Sequence, residues 1–407
     1  MDSKVKVMRD GKSRNRKRRV AFLETVAVNH IKTTSLITML LKLIVFGLLT
    51  QVSGLVAADS PEPLAPLPDV AMPGTAKVKL GQYLFFDKRL SGDADRACAD
   101  CHIPEQGWAF PEQMSIGYPG TLHYRNAKTV MNVRFAEYFY WDARLDGGND
   151  LSTQARDSMT DAHFMSADGR IMAQRLKQIP EYVALFKEAY NGEPYFGLII
   201  KALGDFEKTL ISKNVPFDNF LEGDASALSS EAKEGLALFQ GKAGCIHCHD
   251  GMMLSDGEVH ATGVPVNPDL FLTERYTTLR SQQMFLGTPN YWNLRQDPGF
   301  FAVEKNTRYF GTFLTPSLRE VSKTAPYMHN GILPTLASVV DFYDKGGEQA
   351  KNKDPRIKPL GLTAAEKAAL VEFLKSLSGD DLGIKTASFA EEKMPKYQLK
   401  KWVGEGN

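Results

Sequence analysis

The sequence predicts a mainly α-helical chain built as two similar halves. Three observations carry that reading. Apolar residues recur at helical spacing over long segments, while β-branched alternation is scarce. All four cysteines fall in two C-x-x-C-H motifs, "ACADCHI" with Cys98, Cys101 and His102, and "GCIHCHD" with Cys245, Cys248 and His249. Each motif is preceded by the same G-x-x-L-F stretch, Gly81, Leu84 and Phe85 in the first case and Gly235, Leu238 and Phe239 in the second.

C-x-x-C-H is the spacing that anchors a c-type haem. The cysteines form thioethers with the two vinyl groups, and the following histidine is placed to ligate the iron. A zinc site would close one tetrahedron from cysteines and histidines, with no need for a histidine at that offset. A disulfide framework is not expected in a chain long enough to bury a full core. Two motifs with no cysteine left over predict two covalently bound haem c groups. The fold class that follows is mainly α, with two cytochrome c-like haem domains packed around a shared interface.

Taken in order, residues 1–58 read as a leader. A basic run, "RDGKSRNRKRRV", precedes an export signal that starts at Met39. Lys42 supplies its charge, Leu43 to Leu49 its apolar run, and Val56, Ala57 and Ala58 its cleavage site. Polar residues interrupt the run too soon for a membrane span. Translation is expected to begin at Met39, and the product to be periplasmic, since c-type haem is attached outside the bacterial cytoplasm. Residues 59–75 form a Pro-rich linker. Residues 76–222 make the first haem domain, 223–390 the second, and 391–407 a tail.

Within the first domain, "SADGRIMAQRLKQIPEYVALFKEAY" carries apolar residues at helical spacing (Ile171, Leu176, Val183, Leu185, Phe186) and is cut at Pro180. "YFGLIIKALGDFEKTLI" is the next helix, and "NVPFDNFLEGDASALSS" is the joint between domains. Near the end, "LTAAEKAALVEFLKSLSG" opens on a capping box, Thr363 to Glu366, with Gly379 as its stop. Composition is ordinary, with 43% hydrophobic and 24% charged residues and a net charge of +1. That excludes a basic nucleic-acid binder and a disordered chain.

Around the motifs, "LFFDKRLSGD", "SIGYPGTLHYRNAKTVMNVRFAEYFYWDARL", "SLREVSKTAPYMHNG" and "LASVVDFYDKGG" resemble the bacterial di-haem cytochrome c peroxidase family, which includes the MauG-type enzymes. The resemblance runs from about residue 78 to 378. It implies that the N-terminal haem, peroxidatic, reacts with hydrogen peroxide and that the C-terminal haem transfers electrons to it. It implies that Trp141 relays electrons between the haems and that Gln154 lies in the distal pocket of the first. It also implies a calcium ion held by Asn126 and the carbonyls of Thr324 and Pro326, an oxygen set that suits that ion.

Three departures from the family pattern bear on function. Where other members carry a histidine that closes the first haem, this chain has Tyr118, with His123 nearby as a stand-in. The first haem is therefore expected to be open. Where many members place a methionine on the second haem, this chain has Tyr343, as MauG-type members do; Met252, Met253, Met284 and Met328 are the alternatives. A thioether favours the reduced iron and a phenolate the oxidised one. Finally, the glutamate expected to move the peroxide proton is replaced by Phe164, which leaves His163 or Asp161 for that task. His247 is expected to face solvent, His260 to sit in a loop, and His329 to be structural.

These readings predict a periplasmic di-haem peroxidase whose high-valent iron oxidises a partner protein. The alternatives are a conventional peroxidase drawing electrons from a small cytochrome c or a cupredoxin, and a non-enzymatic electron-transfer protein with both irons fully ligated.

Overall fold

The computed structural model describes residues 60–117, 122–147 and 151–389. The leader with Met39 and its export signal lies outside these residues, as do Tyr118 and the tail. From Pro61 onward the chain forms one compact unit. It is mainly helical: α1 Thr75–Phe85, α2 Leu151–Thr160, α3 Gly169–Lys177, α4 Pro180–Tyr190, α5 Phe196–Glu207, α6 Ser230–Gln240, α7 Thr273–Phe285, α8 Leu336–Asp344 and α9 Ala364–Lys375. Among the described residues, sheet is confined to two short antiparallel pairs. Tyr138–Phe139 (β1) joins Leu145–Asp146 (β2), and Val259–His260 (β3) joins Phe313–Leu314 (β4). No helix among the described residues is long and apolar enough to cross a membrane.

The repeated G-x-x-L-F stretch has a steric cause. On α1, a Cβ at Gly81 would stand 2.0 Å from the carbonyl oxygen of Ala202 on α5. On α6, a Cβ at Gly235 would stand 2.0 Å from the carbonyl oxygen of Ala369 on α9. Each glycine lets one helix lie directly on the backbone of another. Around α1 and α5 one apolar core gathers Leu84, Phe85, Trp108, Met172, Tyr182, Phe186 and Phe206. Around α6 and α9 a second core gathers Phe217, Phe239, Ile246, Val340, Phe373 and Leu377.

Local signals explain the helix ends. Asp168 caps α3, its carboxylate accepting the Arg170 amide at 2.8 Å. Pro180 opens α4 at the first helical position, where its missing N–H costs nothing. The capping box of α9 forms as read, with the Glu366 amide donating to the Thr363 hydroxyl at 3.2 Å and the Thr363 amide donating to the Glu366 carboxylate at 2.7 Å. Two details differ from expectation. Ile171 is 42% exposed, because the buried stripe of α3 runs through Met172, Ala173 and Leu176 instead. Gly379 does not stop α9, which closes on Ser376; its Cβ would meet the Lys213 carbonyl at 2.1 Å, so it serves close chain approach.

Candidate di-haem site

Both C-x-x-C-H motifs wind into the same tight turn. Cys98–Asp100 and Cys245–His247 are single 3₁₀ turns. The His102 amide donates to the Cys98 carbonyl at 2.9 Å, and the His249 amide to the Cys245 carbonyl at 2.9 Å. Residues three and four apart on such a turn share a face, which sets both thiols and the imidazole on one side. None of the four cysteines is paired in a disulfide, and burial pushes the Cys101 and Cys245 thiols up to about 12.

These two faces line one continuous cavity of about 550 Å³. Cys98, Cys101, His102, Cys245, Cys248 and His249 all border it. At the second motif, His249 Nδ1 donates to the Leu254 carbonyl at 2.9 Å, which fixes the tautomer and leaves Nε2 to ligate. At the first, His102 Nδ1 is buried and faces the backbone of Trp108 and Lys128. Burial holds both imidazoles below the usual histidine range, in the neutral form that a metal requires. The spacing, the neutral imidazoles and the cavity fit two covalently attached haems.

On the first side, the wall is built by α2 and by the β1–β2 hairpin. Gln154 borders the cavity and its amide donates to the Ser158 hydroxyl at 2.9 Å. The Tyr140 hydroxyl lies 3.0 Å from the same Ser158 oxygen. Arg144 lays its guanidinium over the Tyr140 ring at 3.7 Å, and Phe164 stacks on His123 at 4.9 Å. His163 is not among the described residues that border the cavity. Its Nδ1 lies 2.9 Å from Asp161 and its Nε2 3.0 Å from the Ser281 hydroxyl on α7, so the ring points away from the haem side. Asp161 is likewise not among those bordering residues.

Trp141 borders the same cavity. Its Nε1 donates to the Asn126 carbonyl at 2.9 Å, and the Leu314 amide donates to its own carbonyl at 2.9 Å. The Lys128 ammonium lies 5.3 Å from its ring centroid. His329, buried, stacks on Phe313 at 3.7 Å and meets Trp141 edge-on at 6.5 Å. Asn126, Thr324 and Pro326 border the same cavity, with the Asn126 side chain donating to the Glu112 carbonyl at 2.9 Å. Arg125, buried, pairs with Asp142 at 2.8 Å and also bonds Asp297, again at 2.8 Å. Burial opposes its charge, but the two carboxylates outweigh it and hold Arg125 well above the usual arginine value.

On the second side, Tyr343 projects from α8 into the cavity. Burial pushes its hydroxyl up, the neighbouring Cys245 and Cys248 thiols add to that, and a hydrogen bond with Thr262 opposes it. Met252, Met253 and Met328 also border the cavity, whereas Met284 is 48% exposed on the surface. His247 is exposed, as its place inside the motif suggests. His260 is not a free loop histidine. Its two ring nitrogens lie 2.8 Å from Asp256 and 3.0 Å from Asp354.

Residues 75–226 match the family model for di-haem cytochrome c peroxidase. The cytochrome-c peroxidase IdrP2 of Denitromonas iodatirespirans is 45% identical over 357 residues, which covers 86% of this chain and 94% of that protein. This chain belongs to the di-haem cytochrome c peroxidase family. The methylamine utilization protein MauG of Methylorubrum extorquens is 34% identical, over 76% of this chain and 80% of its own. A solved MauG-like protein associated with microbial copper homeostasis superimposes with a TM-score of 0.66 at 28% identity, covering 83% of this chain and 98% of that one. Family membership makes the protein a di-haem peroxidase, an oxidoreductase that carries two haem c groups and uses hydrogen peroxide with a redox partner protein.

Proposed function

We propose that this peroxidase is a periplasmic, MauG-like enzyme that spends the oxidising power of peroxide on a partner protein. The observation that carries this reading is Tyr343, which borders the cavity beside Cys245 and Cys248. In this position its phenolate oxygen would be a ligand to the second haem iron, alongside His249. Residues 76–222 then form the peroxidatic half and 223–390 the electron-transfer half.

The bound haems supply the oxygen and electron-transfer chemistry. The chain does the rest. His102 and His249 hold the two irons. Gln154 and Arg144 give the first pocket its polar groups, and the Ser158 hydroxyl holds the Gln154 amide in place. Trp141, fixed by the Asn126 carbonyl, carries electrons between the halves. The Asn126 side chain with the Thr324 and Pro326 carbonyls binds a calcium ion at the joint between them. The export signal read at Met39–Ala58, and the need to attach c-type haem outside the cytoplasm, support a periplasmic location.

A second reading is favoured by Met252, Met253 and Met328 on the cavity wall. A thioether ligand from one of them would make the protein a conventional peroxidase fed by a small cytochrome c or a cupredoxin. One experiment separates the two. The haem-loaded, fully oxidised protein is followed by EPR and by visible to near-infrared absorption before and after one equivalent of hydrogen peroxide. A high-spin signal, and a long-lived oxidised state formed at once, are expected. Reaction only after half-reduction would overturn the Tyr343 reading in favour of the thioether.

A further inference from the structure

The first pocket lacks the glutamate that the family pattern leads one to expect, and Phe164 stands in its slot. The two acidic or basic neighbours that the sequence offers instead, Asp161 and His163, are bonded to each other and not to the cavity. The oxygen lone pairs of peroxide entering this pocket still need donors. The Gln154 amide and the Tyr140 hydroxyl both engage Ser158, and Arg144 is held by Asp142 at 3.1 Å.

One histidine on the wall stands out. His123 is 3% exposed and borders the cavity. Its Nδ1 accepts the Arg125 amide at 3.2 Å, which places the ring proton on Nε2. That Nε2 is buried with no partner among the described residues. A buried donor without an acceptor is costly, and such groups in native proteins call for a partner that arrives later. The ring cannot swing to find another one. It is stacked between Tyr124 at 4.6 Å and Phe164 at 4.9 Å, and Gln282 and Gln283 hold the Tyr124 hydroxyl. If packing were all that this position served, a phenylalanine would serve it without stranding an N–H.

We infer that His123 is the hydrogen-bond donor of the peroxidatic pocket, its Nε2–H serving an oxygen of hydrogen peroxide held in the part of the cavity walled by Gln154, Arg144 and Phe164. Phe164 does not replace the missing glutamate chemically. It clamps the imidazole that does the donating. Burial first, then the nearby Arg125 and Arg144 charges, push His123 down to about 3 against the weaker pull of Asp161, so the ring stays neutral and keeps the donor in place at any working pH. The inference rests on the proposed assignment of the His102 half as the peroxide-reacting one.

The test uses the haem-loaded protein and two readouts. His123→Phe keeps the stack and removes the N–H. Fluoride, an anion that accepts hydrogen bonds from the distal side, is titrated into the oxidised protein, and peroxide oxidation is timed by stopped flow. Fluoride affinity is expected to fall about tenfold, the worth of one hydrogen bond to a charged acceptor, and peroxide oxidation to slow. Phe164→Glu placed in the His123→Phe background is expected to restore part of the peroxide rate. If His123→Phe fails to load haem, His123→Gln, which retains an N–H donor, is compared with His123→Leu. Unchanged fluoride affinity and unchanged rate in the donor-less variant would overturn the role of His123. A wild-type protein that ignores peroxide while the fluoride difference persists would instead overturn the proposed function.

Discussion

The two halves of this peroxidase share a scaffold and differ in what surrounds it. Both carry a close helix pair, α1 on α5 and α6 on α9, each relying on a glycine at the crossing. Both wind their C-x-x-C-H motif into the same turn. The imidazoles then part company. His249 has its Nδ1 tied to the Leu254 carbonyl, while His102 faces the backbone of Trp108 and Lys128. On the cavity wall, Tyr343 faces the second motif, whereas the first pocket is furnished with Gln154, Tyr140, Arg144 and His123. One anchor design therefore serves two jobs, and the residues outside the motif decide which. A histidine tied through its far nitrogen is fixed in orientation and more basic, which favours the more oxidised iron.

The sharpest break in this comparison is Tyr343→Met. If Tyr343 is what distinguishes the second half, the variant loses the long-lived oxidised state. The loss should exceed the roughly hundredfold effect of removing an outer-shell partner, read as the lifetime of the near-infrared signal. Next is Trp141→Phe, which keeps an aromatic ring but drops the bond to the Asn126 carbonyl. It should leave the initial peroxide reaction intact and slow the sharing of oxidising power between halves, with a stability loss on the order of 1 kcal/mol. A stopped-flow trace with unchanged second phase would argue that electrons take another route.

Gly81→Ala and Gly235→Ala probe the shared part. Both new methyls would collide with a backbone carbonyl, so both should destabilise by about 1–3 kcal/mol and by similar amounts, seen as matching drops in thermal midpoint. A large effect at one and none at the other would mean that the two helix pairs are not equivalent. The smallest effect is at His260. Burial works against its cation, but the hydrogen bond and charge of Asp256 outweigh this, and Asp354 adds to them against Arg356, so the folded value lies above the ordinary one. The stabilisation is then fully present below about pH 6.5 and fades as pH rises through the folded value. Unfolding midpoints measured across neutral pH should fall with rising pH in the wild type and flatten in His260→Ala.

Much of this was legible before the fold. The motifs gave the haem anchors, Pro180 gave the break between α3 and α4, and Thr363 with Glu366 gave the start of α9, because each signal acts within a few residues. The G-x-x-L-F stretch was visible as a repeat, yet its reason, a carbonyl from a helix more than a hundred residues away, was not. The wall of the first pocket was the least legible. That His163 turns toward Ser281 and His123 toward the cavity depends on α7, whose packing no local pattern encodes. The pairing of Arg125 with Asp297 spans 172 residues and is equally invisible in sequence.

That last pairing has a mechanical consequence. Arg125 and Asp142 come from the stretch that carries Trp141, and Asp297 comes from beyond the second motif. Separating the two stretches would take Asp297 from Arg125, and depriving a buried charge of its partner typically costs about 3–5 kcal/mol. The joint is a weld and not a hinge. What a reader of the chain would see as two distant segments is thus one clasp, closed by a single guanidinium.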